Sequence, residues 1–297
     1  MNRKSSSKSI LFLSDMHVGS LMAVCSPHPQ IKDTEIIPTK LQEQLYQQWV
    51  KVKDSLQNKK LFCVCVNGEP IDGDNKKQVG VDSWTTNLKF QTDEAAKLLQ
   101  QFDTKYFVLT RGSGYHVNKD ATNLEEYVAE KLNAVPYSTY PANKGKVMTQ
   151  YADWDANRNR STRTDHHLTM KINDKVFSIT HHIGFTRWFN YKPMAISREA
   201  ANLEYLRGKY WEDKDYPTFI VRSHVHYYCQ VRFSSTVAFT TPAWKFPDGY
   251  LYRGGLAGTD PSIGGIEVIL ESNGHYQVEP YLMHNKQYPK MEVLELT

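Results

Sequence analysis

Residues 10–20 read ILFLSDMHVGS. The four apolar residues Ile10 to Leu13 have the character of a strand covered on both faces, as in the parallel sheets of α/β proteins. The run stops at Asp15 and His17. On an extended chain residues two apart point the same way, so a carboxylate and an imidazole converge just beyond the strand end, where open α/β sheets bind ligands. One oxygen and one nitrogen donor suit Zn2+, Mn2+ or Fe. An isolated Asp-x-His reads more readily as a turn cap followed by a surface histidine, so only partners elsewhere in the chain give the pair chemical meaning.

Outward from this stretch the chain alternates strand and helix. The run TKLQEQLYQQWVKVKDSL places Leu41, Leu45, Trp49, Val52 and Leu56 at helical spacing. A strand follows at Leu61 to Val66, then a loop to about residue 90, a helix around Glu94 to Phe102 and a strand at Tyr106 to Thr110. This order predicts right-handed βαβ units and a mainly parallel core. Thr122 and Glu125 stand at capping-box spacing before a helix through Tyr127, Val128 and Leu132. Beyond a polar stretch at residues 141–165 the pattern changes to short strands, KVFSIT, TFIVRS, TVAFTT, GIEVIL and YQVEPYLM, interrupted by one helix at about Ser197 to Leu206. A second sheet packed on the first accommodates them. The expected architecture is an α/β two-sheet sandwich flanked by helices, with residues 1–297 as a single domain and no linker or internal repeat.

Composition fits a globular chain, with 40% hydrophobic, 23% charged and 12% aromatic residues. Lys plus Arg number 36 against 32 Asp plus Glu, an excess too small to imply nucleic-acid binding by bulk charge. Cys63 and Cys65 lie two apart inside LFCVCVN, a spacing of buried fillers and not of a Cys-x-x-Cys site. Together with the short polar start MNRKSSSKS, which holds no apolar segment of signal or membrane-spanning length, this leads us to expect a cytoplasmic protein without a membrane partner.

Four further strand ends resemble the first. LFCVCVNGEPIDG puts Glu69 and Asp72 after a buried strand, with Gly68 and Gly73 allowing tight turns. YFVLTRGSGYH ends in His116, KVFSITHHIG in His181 and His182, and TFIVRSHVHY in His224 and His226. Each of these histidines alone has an ordinary structural explanation. Jointly they matter, because the C-terminal ends of parallel strands open onto one edge and so face one crevice.

The order Asp-x-His, Gly-Glu-x-x-Asp-Gly, Gly-Ser-Gly-Tyr-His, His and His-x-His, from Asp15 to His226, resembles the calcineurin-like metallophosphoesterase superfamily, and most closely its phage and archaeal branch. The resemblance implies the four-layer αββα fold of that superfamily and two divalent transition-metal ions, Mn, Fe or Zn. Asp15, His17 and His226 match ligands of one metal, Glu69 the bridging carboxylate, and His224 with His181 or His182 ligands of the other. His116 matches the histidine that assists the leaving group, and Asp72 a supporting aspartate. Two departures stand out. Glu69 replaces the usual aspartate, and the asparagine ligand of Gly-Asn-His is absent, with Ser113 in its place and Gly114 and Tyr115 inserted before His116.

The implied activity is hydrolysis of phosphodiesters by a metal-activated hydroxide, with a nuclease or nucleotide phosphodiesterase as its sharper forms. Arg158, Arg160 and Arg163, near Tyr151 and Trp154, are candidate contacts to a nucleic-acid backbone, although a solvated loop has the same composition. RWFNYK, with Arg187, Trp188, Phe189 and Tyr191, is either a substrate rim or packing. The alternatives are a phosphomonoesterase acting on a small molecule, or a scaffold that kept the fold with a degenerate metal site.

Overall fold

The computed structural model describes residues 7–27, 29–31, 34–75, 80–119, 122–136, 162–186, 188–207, 209, 216–253, 261–284 and 288. Strand β1 (Lys8–Leu13) is followed by the small hairpin β2 (Gln30–Ile31) and β3 (Thr34–Glu35), helix α1 (Lys40–Leu56) and β4 (Leu61–Asn67). Helix α2 (Leu88–Leu99) leads to β5 (Thr104–Thr110), and the turn α3 (Gly114–Val117) to a second small hairpin, β6 (Asn118–Lys119) and β7 (Thr122–Asn123). Helix α4 (Leu124–Lys131) precedes β8 (Thr164–Asp165), β9 (His167–Ile172) and β10 (Lys175–Thr180). After α5 (Lys192–Tyr205) come β11 (Phe219–Arg222), β12 (Cys229–Arg232), β13 (Val237–Thr240), α6 (Gly249–Arg253), β14 (Gly264–Leu270) and β15 (Tyr276–Leu282).

Two sheets carry the molecule, one ordered β15-β14-β1-β4-β5-β8 and the other β12-β13-β11-β10-β9. β1, β4, β5 and β8 are parallel to one another, as are β10, β11 and β13. The expected two-sheet sandwich flanked by helices is present. GIEVIL and YQVEPYLM, grouped in the sequence reading with the second sheet, instead form the antiparallel hairpin β14–β15 on the first, with β14 paired to β1. Strand identity depends on local pattern, but the choice of sheet depends on long-range pairing that periodicity does not encode.

Alternation along β1 shows why it is apolar throughout. Leu11 and Leu13 pack on one side with Leu45, Trp49 and Val52 of α1 and Leu98 and Leu99 of α2. Ile10 and Phe12 pack on the other with Cys63, Cys65, Phe177, Phe219 and Phe239, between the sheets. On the far face of the second sheet, Ile220 and Ala238 pack with Ile196 and Ala200 of α5. Four layers result: helices, sheet, sheet, helix. Cys63 and Cys65 are buried fillers as expected, and all four cysteines are free thiols. Among the described residues no helix is long and apolar enough to cross a membrane.

Local chemistry sets the helix starts. At α1, Thr39 caps through its side chain while Gln42 reaches back, a complete capping box. At α4 the expected Thr122–Glu125 box is replaced by Asn123, whose side chain accepts from the Glu125 backbone. The Glu125 carboxylate is committed elsewhere, to Glu69 and Gly112.

Candidate metal centre

Five strand-end loops converge at one edge of the sandwich. Asp15 and His17 follow β1, Glu69 and Asp72 follow β4, His116 lies in α3 after β5, His181 and His182 follow β10, and His224 and His226 follow β11. Asp15, His17, Glu69 and His226 each bring one donor atom within 4.8 Å of the others, and Glu69, His181 and His224 do the same. Glu69 belongs to both groups. A third group, His17, Asp72 and His116, adjoins them.

The backbone makes these loops unusual. Asp15, His17, Glu69, His224 and His226 have φ of 48°, 46°, 55°, 71° and 58°; every other non-glycine residue with positive φ among the described residues is an asparagine, the residue that tolerates this region best. A non-glycine residue held in the left-handed region costs of order 1–3 kcal/mol and concentrates at functional sites. Hydrogen bonds hold the strained turns: Asp15 N donates to Gly68 O, His17 N to Glu69 O, and Trp244 N to Asp15 O.

Proton positions follow from the partners. His181 Nδ1 sits 2.7 Å from the carbonyl oxygen of Asn67, which can only accept, so Nδ1 carries a proton and Nε2 is the ring atom left to face the site. Nε2 faces Glu69 Oε1 at 3.2 Å and Asp15 Oδ1 at 3.9 Å. His17 repeats the arrangement, with Nδ1 3.1 Å from Asp72 Oδ1 and Nε2 2.9 Å from Glu69 Oε2. His226 Nε2 lies 3.3 Å from Asp15 Oδ1. Asp15 Oδ1, His17 Nε2 and His181 Nε2 are buried with no hydrogen-bond partner. With a divalent ion in place these imidazoles would be neutral and each Nε2 would offer its lone pair beside the carboxylates, and adjacent ligands on an ion with bonds of about 2.1 Å stand roughly 3 to 3.5 Å apart. The donor set therefore fits divalent metal.

Charge balance points the same way. Burial alone would raise the Asp15 carboxyl, but His226 and His181 hold it down at about 2. Burial would likewise raise Glu69, yet His181 and His17 keep it well below the usual carboxylate range. Burial would lower His181, but Glu69 and Asp15 lift it to about 10. Without an ion, the carboxylates draw onto the imidazoles the positive charge that a metal ion would supply.

Asp72 is buried and supports the ligands, accepting from His17, from Asn75 Nδ2 at 3.0 Å and from Lys245 Nζ at 3.2 Å. His116 Nδ1 is 2.8 Å from the Asp72 carbonyl oxygen, and burial depresses its ring to about 4. A side chain at Gly73 would collide with the His116 carbonyl at 1.7 Å, so this turn requires glycine. Of the paired candidates after β10, His181 enters the buried group while His182 is exposed, its ring stacked on His224 at 4.2 Å. Side chains alternate at a strand end, so one of two neighbours must face out. Ser113 Oγ stands 3.4 Å from His224 Nδ1.

Arg158, Arg160, Tyr151, Trp154 and Arg187 lie outside the described residues. Arg163 is committed to the fold: its guanidinium donates to Ala134 O and its backbone N–H to Glu126 Oε1. Trp188 and Tyr191 are exposed. Two site residues escaped the sequence reading. Glu125, fully buried, accepts from the backbones of Glu69 and Gly112, and burial raises it to about 7. Lys245, in the loop after β13, is buried against Asp72 and Asp248. Neither lies in one of the strand-end motifs: the sequence marked Glu125 only as a capping-box residue, and no local pattern marks Lys245.

No protein-family model matches the chain, and no curated protein matches it. Solved structures do. A Vps29 single mutant from Entamoeba histolytica is 8% identical, with 93% of this chain and 99% of that one covered and a TM-score of 0.40. A novel archaeal phosphodiesterase is 12% identical, over 92% and 99%, with a TM-score of 0.40. YfcE, a phosphoesterase from E. coli, is 8% identical, over 90% and 96%, with a TM-score of 0.39. Likenesses this distant assign neither a family nor an activity.

Proposed function

We propose that the protein is a metal-dependent phosphoesterase acting on phosphodiesters. What carries this reading is the convergence of Asp15, His17, Glu69, His181, His224 and His226, with Glu69 common to two donor groups and three buried donor atoms left without partners. A pair of divalent ions held there would polarise phosphoryl oxygens and acidify water. The chain's residues do the rest. Glu69 spans the two groups, while Asp72 and the Asn67 carbonyl fix His17 and His181 in the tautomer that presents Nε2. His116, its Nδ1–H anchored on the Asp72 carbonyl and its ring steeply tilted to that of His17 with centroids 4.7 Å apart, handles a proton or developing charge beside the reacting phosphate. A nucleotide or single-stranded nucleic acid is the natural form of substrate we favour.

The test is hydrolysis of an aryl phosphodiester by protein stripped with chelator and reloaded with Mn2+. Activity should vanish on stripping and return on loading, and equal turnover without metal would end the proposal. A second reading, a scaffold that binds metal without turning over esters, is favoured by one observation: Ser113 supplies only a hydroxyl beside His224. Full metal content with no turnover of mono- or diesters would select it.

A further inference from the structure

Asp72 touches both histidines on which the proposed reaction depends. Its Oδ1 accepts from Nδ1 of His17 at 3.1 Å, and its backbone carbonyl accepts from Nδ1 of His116 at 2.8 Å. What keeps that carboxylate in place comes from the other sheet. The loop after β13 docks on the end of β1 through Trp244 N to Asp15 O and through Ser14, whose hydroxyl meets Thr241 Oγ1 at 2.6 Å and the Pro242 carbonyl at 3.2 Å. It thereby delivers Lys245, 4% exposed, with Nζ 3.2 Å from Asp72 Oδ1 and 2.8 Å from Asp248 Oδ2.

Burying a cation is costly even when paired, and apolar residues of similar volume commonly replace buried ion pairs without loss of stability. The cost is greater beside a centre built to hold divalent cations, since like charges repel strongly away from water. Packing alone would be served by a methionine. The position of Nζ suggests another purpose. It shares one oxygen of Asp72 with His17, while Asn75 holds the other oxygen, so the carboxylate cannot rotate without breaking a contact on each side.

We propose that Lys245 is a positioning residue of the metallophosphoesterase site, clamping Asp72 so that one carboxylate orients the ligand His17 and one carbonyl of the same residue orients His116. The inference rests on the metal-dependent reading above. Partners that orient ligating histidines in this way commonly change metal affinity or activity by about 10- to 100-fold when removed.

The test uses the full chain and Mn2+. Lys245→Met combined with Asp248→Asn removes the cation together with its second anion, leaving Asp72 with His17 and Asn75. Calorimetric titration should show Mn2+ affinity lowered by about 10- to 100-fold. On an aryl phosphodiester at saturating Mn2+, kcat should fall at least about tenfold with KM within about twofold, because substrate does not touch Lys245. In metal-free protein the imidazole Nδ1–H proton resonance of His17, protected in the wild type, should broaden or vanish. A folded double variant with wild-type affinity, kcat and His17 resonance overturns the proposal. Should the double variant fail to fold, Lys245→Arg decides: it keeps the charge but not the single-point geometry, so a reduced kcat with an unchanged melting midpoint supports the clamp, and wild-type kcat overturns it. Wild-type protein that takes up no Mn2+ would overturn the metal-dependent reading itself, an outcome distinct from failure of the clamp alone.

Discussion

At Glu69 the extra methylene, relative to the aspartate of the superfamily pattern, is accommodated by the absence of a side chain opposite. A Cβ on Gly112 would lie 2.4 Å from Glu69 Cγ. The carboxylate then reaches past the turn, with Oε1 accepting from Ser113 N at 3.0 Å and facing His181, and Oε2 facing His17. Glu125 fixes both loops from behind by accepting the backbone N–H groups of Glu69 and Gly112. Glu69→Asp withdraws the carboxylate by about 1.5 Å, one carbon–carbon bond, too far to serve both histidines. Gly112→Ala pushes the longer side chain off its path. Each variant should retain at least one metal ion fewer than wild type after gel filtration, measured by elemental analysis. Full metal content and turnover in Glu69→Asp would mean that the loop follows the shorter side chain. Asp15, His17, Glu69, His224 and His226 were legible in the sequence because each lies within four residues of a strand's end, and His116 because it closes the glycine-rich turn after β5. The left-handed backbones of Asp15, His17, Glu69, His224 and His226 were not, since only glycine and asparagine announce that conformation in a sequence.

On the outer face of the second sheet a buried arginine ties α5 to β11. Arg222 donates through Nε to Glu199 Oε1 at 2.8 Å, and through Nη1 to the carbonyls of Ser178 and Val221. Beside it, on β9, burial and the neighbouring Arg222 cation lower His167 to about 4, and its Nε2 lies 3.3 Å from Ser178 Oγ. The sign of the linkage follows. A histidine whose folded value lies below its unfolded value of about 6.5 binds more protons when unfolded, so stability rises with pH between about 4 and 6.5 and is fully present above that window. Urea midpoints at pH 7 and pH 4.5 should therefore converge in His167→Gln relative to wild type. An identical pH difference in both proteins would show that His167 does not titrate in this way. The elements around it, β9 to β11, were readable from their short apolar runs. The placement of β14 and β15 was not: their pattern specifies strands, but Gly264, with φ of 149° and its Cβ position 1.9 Å from the Tyr281 carbonyl, fits them to each other and to β1 only through tertiary contact.

For the molecule as a whole, the candidate centre is the place where the two sheets meet at their loaded edge. Asp15, His17 and Glu69 come from the first sheet and His181, His224 and His226 from the second, with few direct hydrogen bonds between the groups: His224 N donates to Asp15 Oδ2 at 3.3 Å, and His181 Nδ1 to Asn67 O. Metal-free, this edge keeps buried carboxylates close together, and its strained turns are held by backbone hydrogen bonds and by the Glu125 and Asp15 carboxylates. An ion bound by donors from both sheets closes that edge, and because the unfolded chain does not assemble the donors, binding stabilises the fold by mass action, about 2.7 kcal/mol at 100 times Kd. For a chain of this size that corresponds to a rise of roughly 4 °C in melting midpoint. Scanning calorimetry of stripped protein with increasing Mn2+ should show the rise, and Asp15→Asn should abolish most of it, because the variant loses the carboxylate that faces His181 and His226 across the gap. A single-sheet ligand set predicts otherwise: were Mn2+ held by Asp15, His17 and Glu69 alone, His226→Ala and His181→Ala would keep the full shift, and the ion would not join the two halves.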